Sequence, residues 1–369
     1  MKELLMQNLR IPGPTPCPEE VLEAMGRQMV NHRGPEFASL LTDVTAKLKR
    51  LFKTQNDVFL LTASGTGGLE AAAVNMLSPG DVVLSVSIGV FGHRFAAIAS
   101  QFGAQVIPLN FEWGQAADVD AIRQALKDNP KIKTVLVTHN ETSTGVTNDL
   151  KAISAVVKEF DKLLVVDAIS SLGSIELPVD EWRCDVTVTG SQKGWMVPPG
   201  MAMVAVGQEA WEANSRATMP RFYWDFAKAK SYLEKGQTPW TPVVSIVFAF
   251  SVALDKMLAE GLENIITRHA RIAQMTRDGI KELGLSLFAE ESHASNTVTS
   301  VAASGGLDTK KLVKIMREEH NIVLGGGQQT MAGKIFRIGH LGWVNENDIA
   351  QVLTALKTAL PQAGFRSGS

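Results

Sequence analysis

Three stretches of this 369-residue chain put reactive or anion-binding residue types where a fold could use them. The first is Thr187-Val-Thr-Gly-Ser-Gln-Lys193-Gly-Trp-Met-Val-Pro-Pro-Gly200. A β-branched run gives way to small polar residues, one lysine and then Pro-Pro-Gly, so a buried strand ends and the chain turns with Lys193 at the mouth of a sheet. The charge of an amine placed there is tuned by its surroundings, as a lysine that condenses with a carbonyl compound requires. The second is Ala63-Ser-Gly-Thr-Gly-Gly68, between Asp57-Val-Phe-Leu-Leu-Thr62 and the helix-forming Leu69-Glu-Ala-Ala-Ala-Val-Asn-Met-Leu77. Strand, glycine-rich turn and helix together aim backbone N–H groups and a helix N-terminus at an anion. The turn lacks the Gly-Lys-Ser/Thr of a P-loop, and Glu70 stands where a dinucleotide fingerprint has its third glycine. A single phosphate held by Thr66, Gly67 and Gly68 fits better. The third is Asp167, which closes the strand-like Leu163-Leu-Val-Val-Asp167. A carboxylate ending so apolar a run costs desolvation unless it has a cationic partner.

Each piece also has an ordinary reading. Lys193 could be a plain strand-end lysine, the glycines a simple turn, and Asp167 a cap for the Ala-Ile-Ser-Ser that follows it. An anion cup, a buried carboxylate and a lysine are, however, the minimal set for pyridoxal 5'-phosphate. The cup takes the phosphate, Asp167 keeps the pyridine nitrogen protonated, and Lys193 bonds to the aldehyde carbon.

These residues need elements to hold them. After Arg10-Ile-Pro-Gly-Pro-Thr-Pro-Cys-Pro18, whose prolines impose an extended entry segment, a helix opens at Pro18-Glu-Glu, breaks at Asn31-His-Arg-Gly-Pro35 and resumes over 37–51. Apolar strands at 57–62, 82–86, 105–109, 134–139, 163–168, 185–189 and 201–206 alternate with helices at 69–77, 91–102, 119–127 and 150–160. Strands without polar alternation, separated by amphipathic helices, mean a mostly parallel sheet covered on both faces, a doubly wound α/β domain. Ligands are then expected at the carboxyl ends of its strands, where all three stretches fall. From about Ser245 the pattern changes to two long helices, 247–260 and 262–283. Short strands at 296–301, 322–324 and 333–338 and helices at 309–319 and 346–360 follow, a smaller α+β unit. The expected division is an N-terminal extended segment at 1–15, a large domain at 16–259 and a small C-terminal domain at 260–369.

Composition narrows the functional classes. The chain is 45% hydrophobic and 20% charged with a formal net charge of −2, so it carries no electrostatic footprint for nucleic acid or an anionic membrane. No apolar run is long enough for a transmembrane helix, and Met1–Asn8 does not read as a signal peptide. Two cysteines, Cys17 and Cys184, give no disulfide framework and no cysteine-rich zinc site, and a reduced, cytoplasmic protein is expected. The seven histidines are scattered without ligand spacing, so no metal site is expected. His139 reads as a packed residue, His32 and Arg33 sit in a Gly-Pro turn, and Phe365-Arg-Ser-Gly-Ser369 reads as a frayed end.

Across nearly its whole length the chain resembles the class V, fold-type I pyridoxal-phosphate aminotransferases of the alanine–glyoxylate and serine–glyoxylate (serine–pyruvate) group. The resemblance is carried by Pro12-Gly-Pro-Thr-Pro16, Asn31-His-Arg-Gly-Pro-Glu-Phe37, Ser64-Gly-Thr-Gly-Gly-Leu-Glu70 and His139-Asn-Glu-Thr-Ser-Thr-Gly145. Val166-Asp-Ala-Ile-Ser-Ser-Leu-Gly173, Gly190-Ser-Gln-Lys-Gly194, Pro198-Pro-Gly200 and Arg337-Ile-Gly339 continue it. It implies a fold-type I architecture, with a mostly parallel sheet of the seven-stranded type in the large domain. It also implies that Phe91 stacks on the cofactor ring, Thr142 bonds the ring hydroxyl, Gln192 adds a polar contact beside Lys193, and Arg337 grips the substrate α-carboxylate. In that family the phosphate is completed across a homodimer interface. The corresponding segment here is Gln237-Thr-Pro-Trp-Thr241, which departs from some relatives and carries the expected contacts Gln237 and Thr238.

The activity implied is ping-pong transfer of an amino group from alanine or serine to glyoxylate or pyruvate, with Lys193 as covalent anchor and general acid–base. Related activities on ureidoglycine, aminoethylphosphonate or pyridoxamine, or a silent cofactor-binding protein, are the alternatives. A cysteine desulfurase needs a nucleophilic cysteine after the lysine, and no cysteine follows Lys193.

Overall fold

The computed structural model describes residues 7–366. Met1 to Met6, most of the N-terminal stretch weighed as a signal peptide, and residues 367–369 of the expected frayed end lie outside the described residues. Phe365 and Arg366 are part of the fold: the Phe365 N–H donates to the Leu360 carbonyl at 3.0 Å and the Arg366 N–H to that of Gly305 at 3.0 Å.

The large domain is built on a seven-stranded sheet in the order Asp57–Leu61, Ala202–Val206, Val186–Gly190, Leu163–Asp167, Ile132–Thr138, Val82–Ser87, Gln105–Asn110. All neighbours pair parallel except Ala202–Val206, which runs antiparallel to both strands beside it. The continuous apolar runs follow from burial on both faces. Within one strand, Leu164 and Val166 enter a core shared with Leu41, Leu48, Phe250 and Leu254, while Leu163 and Val165 enter another shared with Leu69, Val74 and Phe95. Successive side chains of a strand point to opposite faces, so a sheet between two helical layers has no polar face to show. The edge strand Gln105–Asn110 has no fully buried residue.

The C-terminal domain carries a four-stranded sheet in the order Asn8–Arg10, Ile322–Gly326, Ile335–Gly339, Val298–Ala302. Its core (Leu312, Met316, Phe336, Ile338, Ile349, Leu356) lies under helices Thr309–Glu319 and Glu346–Gln362. The second helix opens on a reciprocal cap between Asn345 and Asp348. Helices Val244–Glu260 and Leu262–Glu282 meet at Gly261. Ile265 packs with the large core and Ile272 and Ile280 with the small one, so the second helix bridges the two. No helix among the described residues is long and apolar enough to cross a membrane.

Several elements differ from the sequence expectation. Asn8–Arg10 pairs with Ile322–Leu324, a contact between the two ends of the chain that no local pattern signals. Helices Gln208–Arg216 and Phe226–Leu233 were not expected; the second is short and capped by Asp225, whose side chain accepts the Lys228 N–H at 3.1 Å. The glycine-rich stretch is no separate turn. Ser64 is the N-cap and the helix runs Gly65–Met76, with Gly68 of its first turn close against the sheet. A Cβ on Gly68 would stand 2.6 Å from Val188 Cγ1 and 3.1 Å from Ala202 Cβ.

Candidate active site

Lys193 follows the strand Val186–Gly190, and its loop is rigidly founded. Trp195 is fully buried between Phe52 and Phe250, with ring centroids 5.5 and 5.9 Å away, and donates its indole N–H to Thr189 Oγ1 at 2.9 Å. The entry segment closes over the lysine. Thr15 Oγ1 donates to the Lys193 carbonyl at 3.0 Å, the Thr15 N–H to that of Gln192 at 3.1 Å, and Lys193 Nζ itself donates to the Pro12 carbonyl. Gly13, at φ +103°, permits this approach: a Cβ there would lie 2.7 Å from Lys193 Cδ. Burial lowers the Lys193 amine to about 8, and the positive charges of Arg337 and Arg94 push the same way, against Asp167 and Glu141.

Asp167 is 3% exposed at the end of Leu163–Asp167. Its Oδ1 accepts the Ile169 N–H at 3.0 Å, whereas Oδ2 has only the Thr138 hydroxyl at 3.5 Å. Burial raises this carboxyl to about 7, and the neighbouring Glu141 charge adds to the rise. One oxygen is thus anchored and the other is nearly unpartnered in a dry environment, the disposition of an acceptor for a strong N–H donor.

Lys193 and Asp167 line one cavity of about 150 Å³ together with Ser64, Gly65, Thr66, Phe91, Arg94, Asn140, Thr142 and Gln192. At its helix end the Gly65, Thr66 and Gly67 amides have no acceptor among the described residues, as the first turn of a helix leaves them. The Gly68 amide already donates to the Ser64 carbonyl at 3.2 Å, so of the three expected phosphate contacts Gly68 serves the packing against Val188. Gln192 Oε1 is buried without a partner.

Thr142 and Phe91 are brought to the cavity by a residue the sequence reading missed. Glu141 is fully buried; its Oε2 accepts the Phe91 and Gly92 N–H groups at 2.9 and 3.2 Å, and its Oε1 accepts the Ser143 N–H at 3.1 Å and hydroxyl at 2.5 Å. Ser143 Oγ in turn accepts the Val90 N–H at 3.0 Å. These two side chains cap helix Val90–Gln101 from outside and tie it to Thr142. Burial raises the Glu141 carboxyl, opposed by all four donors. Arg337, 5% exposed on Ile335–Gly339, is aimed by two carbonyls: Nε and Nη2 donate to Gly326 O at 3.0 and 2.7 Å, and Nη1 donates to Thr142 O at 2.9 Å. Burial lowers it to about 10, with the Glu141 charge opposing, so it stays cationic near neutrality.

Gln237 and Thr238 are not part of this cavity. They line a separate groove with Leu41, Tyr223 and Trp240. Arg33 holds that segment, donating to Gln237 Oε1 at 3.0 Å and to the Thr238 and Pro239 carbonyls, the first at 2.6 Å and the second at 3.0 Å. His139 is packed edge-on to Trp182, and burial lowers its imidazole to about 4.

Pyridoxal phosphate fits the residues present. Free helix-end amides and Thr66 suit a phosphate, the nearly unpartnered Asp167 Oδ2 a pyridinium N–H, the orphaned Gln192 Oε1 a polar substituent, and a lysine of depressed basicity an aldehyde. The class V aminotransferase model matches residues 8–348 of the chain. The chain is 44% identical to the "Soluble hydrogenase, small subunit" of Synechococcus sp. over 97% of its length and 94% of that protein's. It is 38% identical to an L-aspartate–glyoxylate aminotransferase of Paracoccus denitrificans, over 95% of this chain and 89% of the relative. The crystal structure of an alanine–glyoxylate aminotransferase from Nostoc sp. superposes with a TM-score of 0.94 at 30% identity, covering 97% of this chain and 96% of that one. A match that begins in the first strand and ends in the last helix, joined to this cavity, places the chain in the class V aminotransferase family as a pyridoxal-phosphate-dependent aminotransferase.

Proposed function

We propose that this aminotransferase moves the amino group of a small L-amino acid, alanine or serine, to a small 2-oxo acid, glyoxylate or pyruvate, in ping-pong order. The observation that carries the reading is that Thr142, which lines the cavity of the depressed Lys193, also aims Arg337 through its carbonyl. That the Paracoccus and Nostoc enzymes are both glyoxylate aminotransferases supports that acceptor.

When bound, the cofactor supplies an electron-withdrawing ring and an aldehyde carbon to which amines bond. The chain's own residues do the rest. Thr66 and Gly67 hold the phosphate from the helix N-terminus. Phe91 covers one face of the ring, Thr142 bonds the ring hydroxyl and Gln192 adds a contact at the same end as Lys193. Asp167 Oδ2 holds a proton at the ring nitrogen. Arg337 receives the substrate α-carboxylate with donors its two carbonyl contacts leave over. Lys193 Nζ, an uncharged amine above about 8, would remove the α-proton of the donor. In the second half it delivers a proton to the α-carbon of the acceptor, so donor and acceptor exchange one amino group for one oxygen.

A homodimer fits the same reading. Gln237 and Thr238 are presented away from their own chain's cavity, next to the exposed Phe222 and Tyr223, each stacked on Trp240. A second copy meeting this face would receive the segment at its own phosphate. The free thiols Cys17 and Cys184 accord with a cytoplasmic setting.

The test is a matrix of L-alanine, L-serine and L-aspartate against glyoxylate, pyruvate and 2-oxoglutarate on the purified holoenzyme. The highest kcat/KM is expected with alanine or serine and glyoxylate or pyruvate, with parallel double-reciprocal lines. L-aspartate with 2-oxoglutarate as the best pair, or intersecting lines, refutes the assignment.

A further inference from the structure

We propose that Arg94 is the cationic partner of the cofactor's phosphate group, a role resting on the reading of this cavity as the pyridoxal phosphate site. Among the described residues, Arg94 and Lys193 are the only cationic side chains lining the cavity. Lys193 is held at the Pro12 carbonyl. Arg94 stands at the opposite, helix end, with Nη1 3.5 Å from Thr66 Oγ1.

Three positive features converge there. The amides of Gly65, Thr66 and Gly67 lack acceptors among the described residues, and the end of the helix they open carries a partial positive charge. Arg94 adds a full one, and no ion pair with a carboxylate claims it among the described residues. The buried acid of that corner, Glu141, is spent on the Phe91, Gly92 and Ser143 donors. A guanidinium directed at a helix N-terminus is repelled by it. A dianion between the two makes both contacts attractive, and a phosphate monoester carries about −1.5 to −2 at neutral pH. The amides and the Thr66 hydroxyl can donate hydrogen bonds but bring no net charge to match it.

The direction of Arg94 is set by its own helix. Phe91 and Arg94 are three residues apart and so share a face, and the guanidinium lies 4.7 Å from the centroid of the Phe91 ring. That stack orients a planar fork whose paired donors match phosphate oxygens, a geometry lysine lacks. The cap from Glu141 and Ser143 fixes the helix end that carries both residues.

The test uses the full chain stripped of cofactor, titrated with pyridoxal phosphate and with pyridoxal, which has the same ring and aldehyde but no phosphate. The variants are Arg94→Gln and Arg94→Lys, and pyridoxal binding serves as the check on folding. Arg94→Gln is expected to weaken pyridoxal phosphate by ~10- to 100-fold, the range of a charge-assisted hydrogen bond, while pyridoxal changes by less than about twofold. Arg94→Lys should fall between, because it keeps the charge and loses the fork. Unchanged affinity for pyridoxal phosphate in Arg94→Gln, or equal weakening of both compounds, overturns the assignment. Wild-type protein that binds both compounds equally overturns the cofactor reading and the proposal with it.

Discussion

Lys193→Ala is expected to fold, to lose the visible absorbance of the bound cofactor and to turn over at least ~10³-fold more slowly than wild type. Positioned general acid–base catalysis alone contributes ~10²–10⁴-fold, and the variant also loses the covalent anchor. Folding should survive because the side chain is a cost to the fold. Its amine is desolvated, with basicity lowered to about 8, and its bond to the Pro12 carbonyl is one of several that seat the entry segment. The Thr15 contacts to the Gln192 and Lys193 carbonyls do not involve the Lys193 side chain. Circular dichroism checks the fold, and absorbance with steady-state rates checks the chemistry. Activity within about tenfold of wild type would mean that proton transfer and the covalent bond belong to another residue.

Asp167→Asn should separate activity from stability. The neutral amide cannot hold a proton at the ring nitrogen by charge, and loss of one such preorganised electrostatic contact costs ~10²–10³-fold in kcat. In the cofactor-free protein the same change is expected to stabilise. Burial holds the Asp167 carboxyl at about 7, against about 3.9 for a solvated aspartate. Between those values the folded chain binds a proton that the unfolded chain has released. Stability therefore falls as pH rises from about 4 to about 7 and is level above that. Asparagine removes this slope, so thermal midpoints of the two cofactor-free proteins should agree near pH 4 and diverge in favour of Asp167→Asn by pH 7. The gap corresponds to roughly 1 to 4 kcal/mol, the upper figure being the full shift at 1.36 kcal/mol per unit. A wild-type midpoint that rises across this range relative to the variant contradicts the buried, underpartnered carboxylate.

Lys193, Asp167 and the glycines at 65–68 were legible because each ends an apolar run, and an apolar run that stops at a polar residue marks a strand end. The α/β pattern was legible for the same reason: a parallel sheet buried on both faces has no polar alternation to confuse it. Glu141 was not, and Arg94 was passed over. Glu141 acts on the backbone of another element, the amides of Phe91 and Gly92, which leaves no trace in spacing. Arg94 did leave one, since it stands three residues after Phe91 on a predicted helix, and residues so spaced share a face. The carbonyls of Pro12, Gly326 and Thr142 that aim Lys193 and Arg337 are independent of side-chain identity and invisible in a sequence. Gly68 was read as part of an anion cup, whereas its place against Val188 and Ala202 is what requires the missing side chain.

The central claim, that Lys193 is the residue that bears the cofactor, is tested most directly by borohydride reduction of the holoenzyme, proteolysis and peptide mass mapping. One phosphopyridoxyl group per chain on the peptide containing Lys193 is the predicted result. The group on any other lysine, or on none, would contradict it.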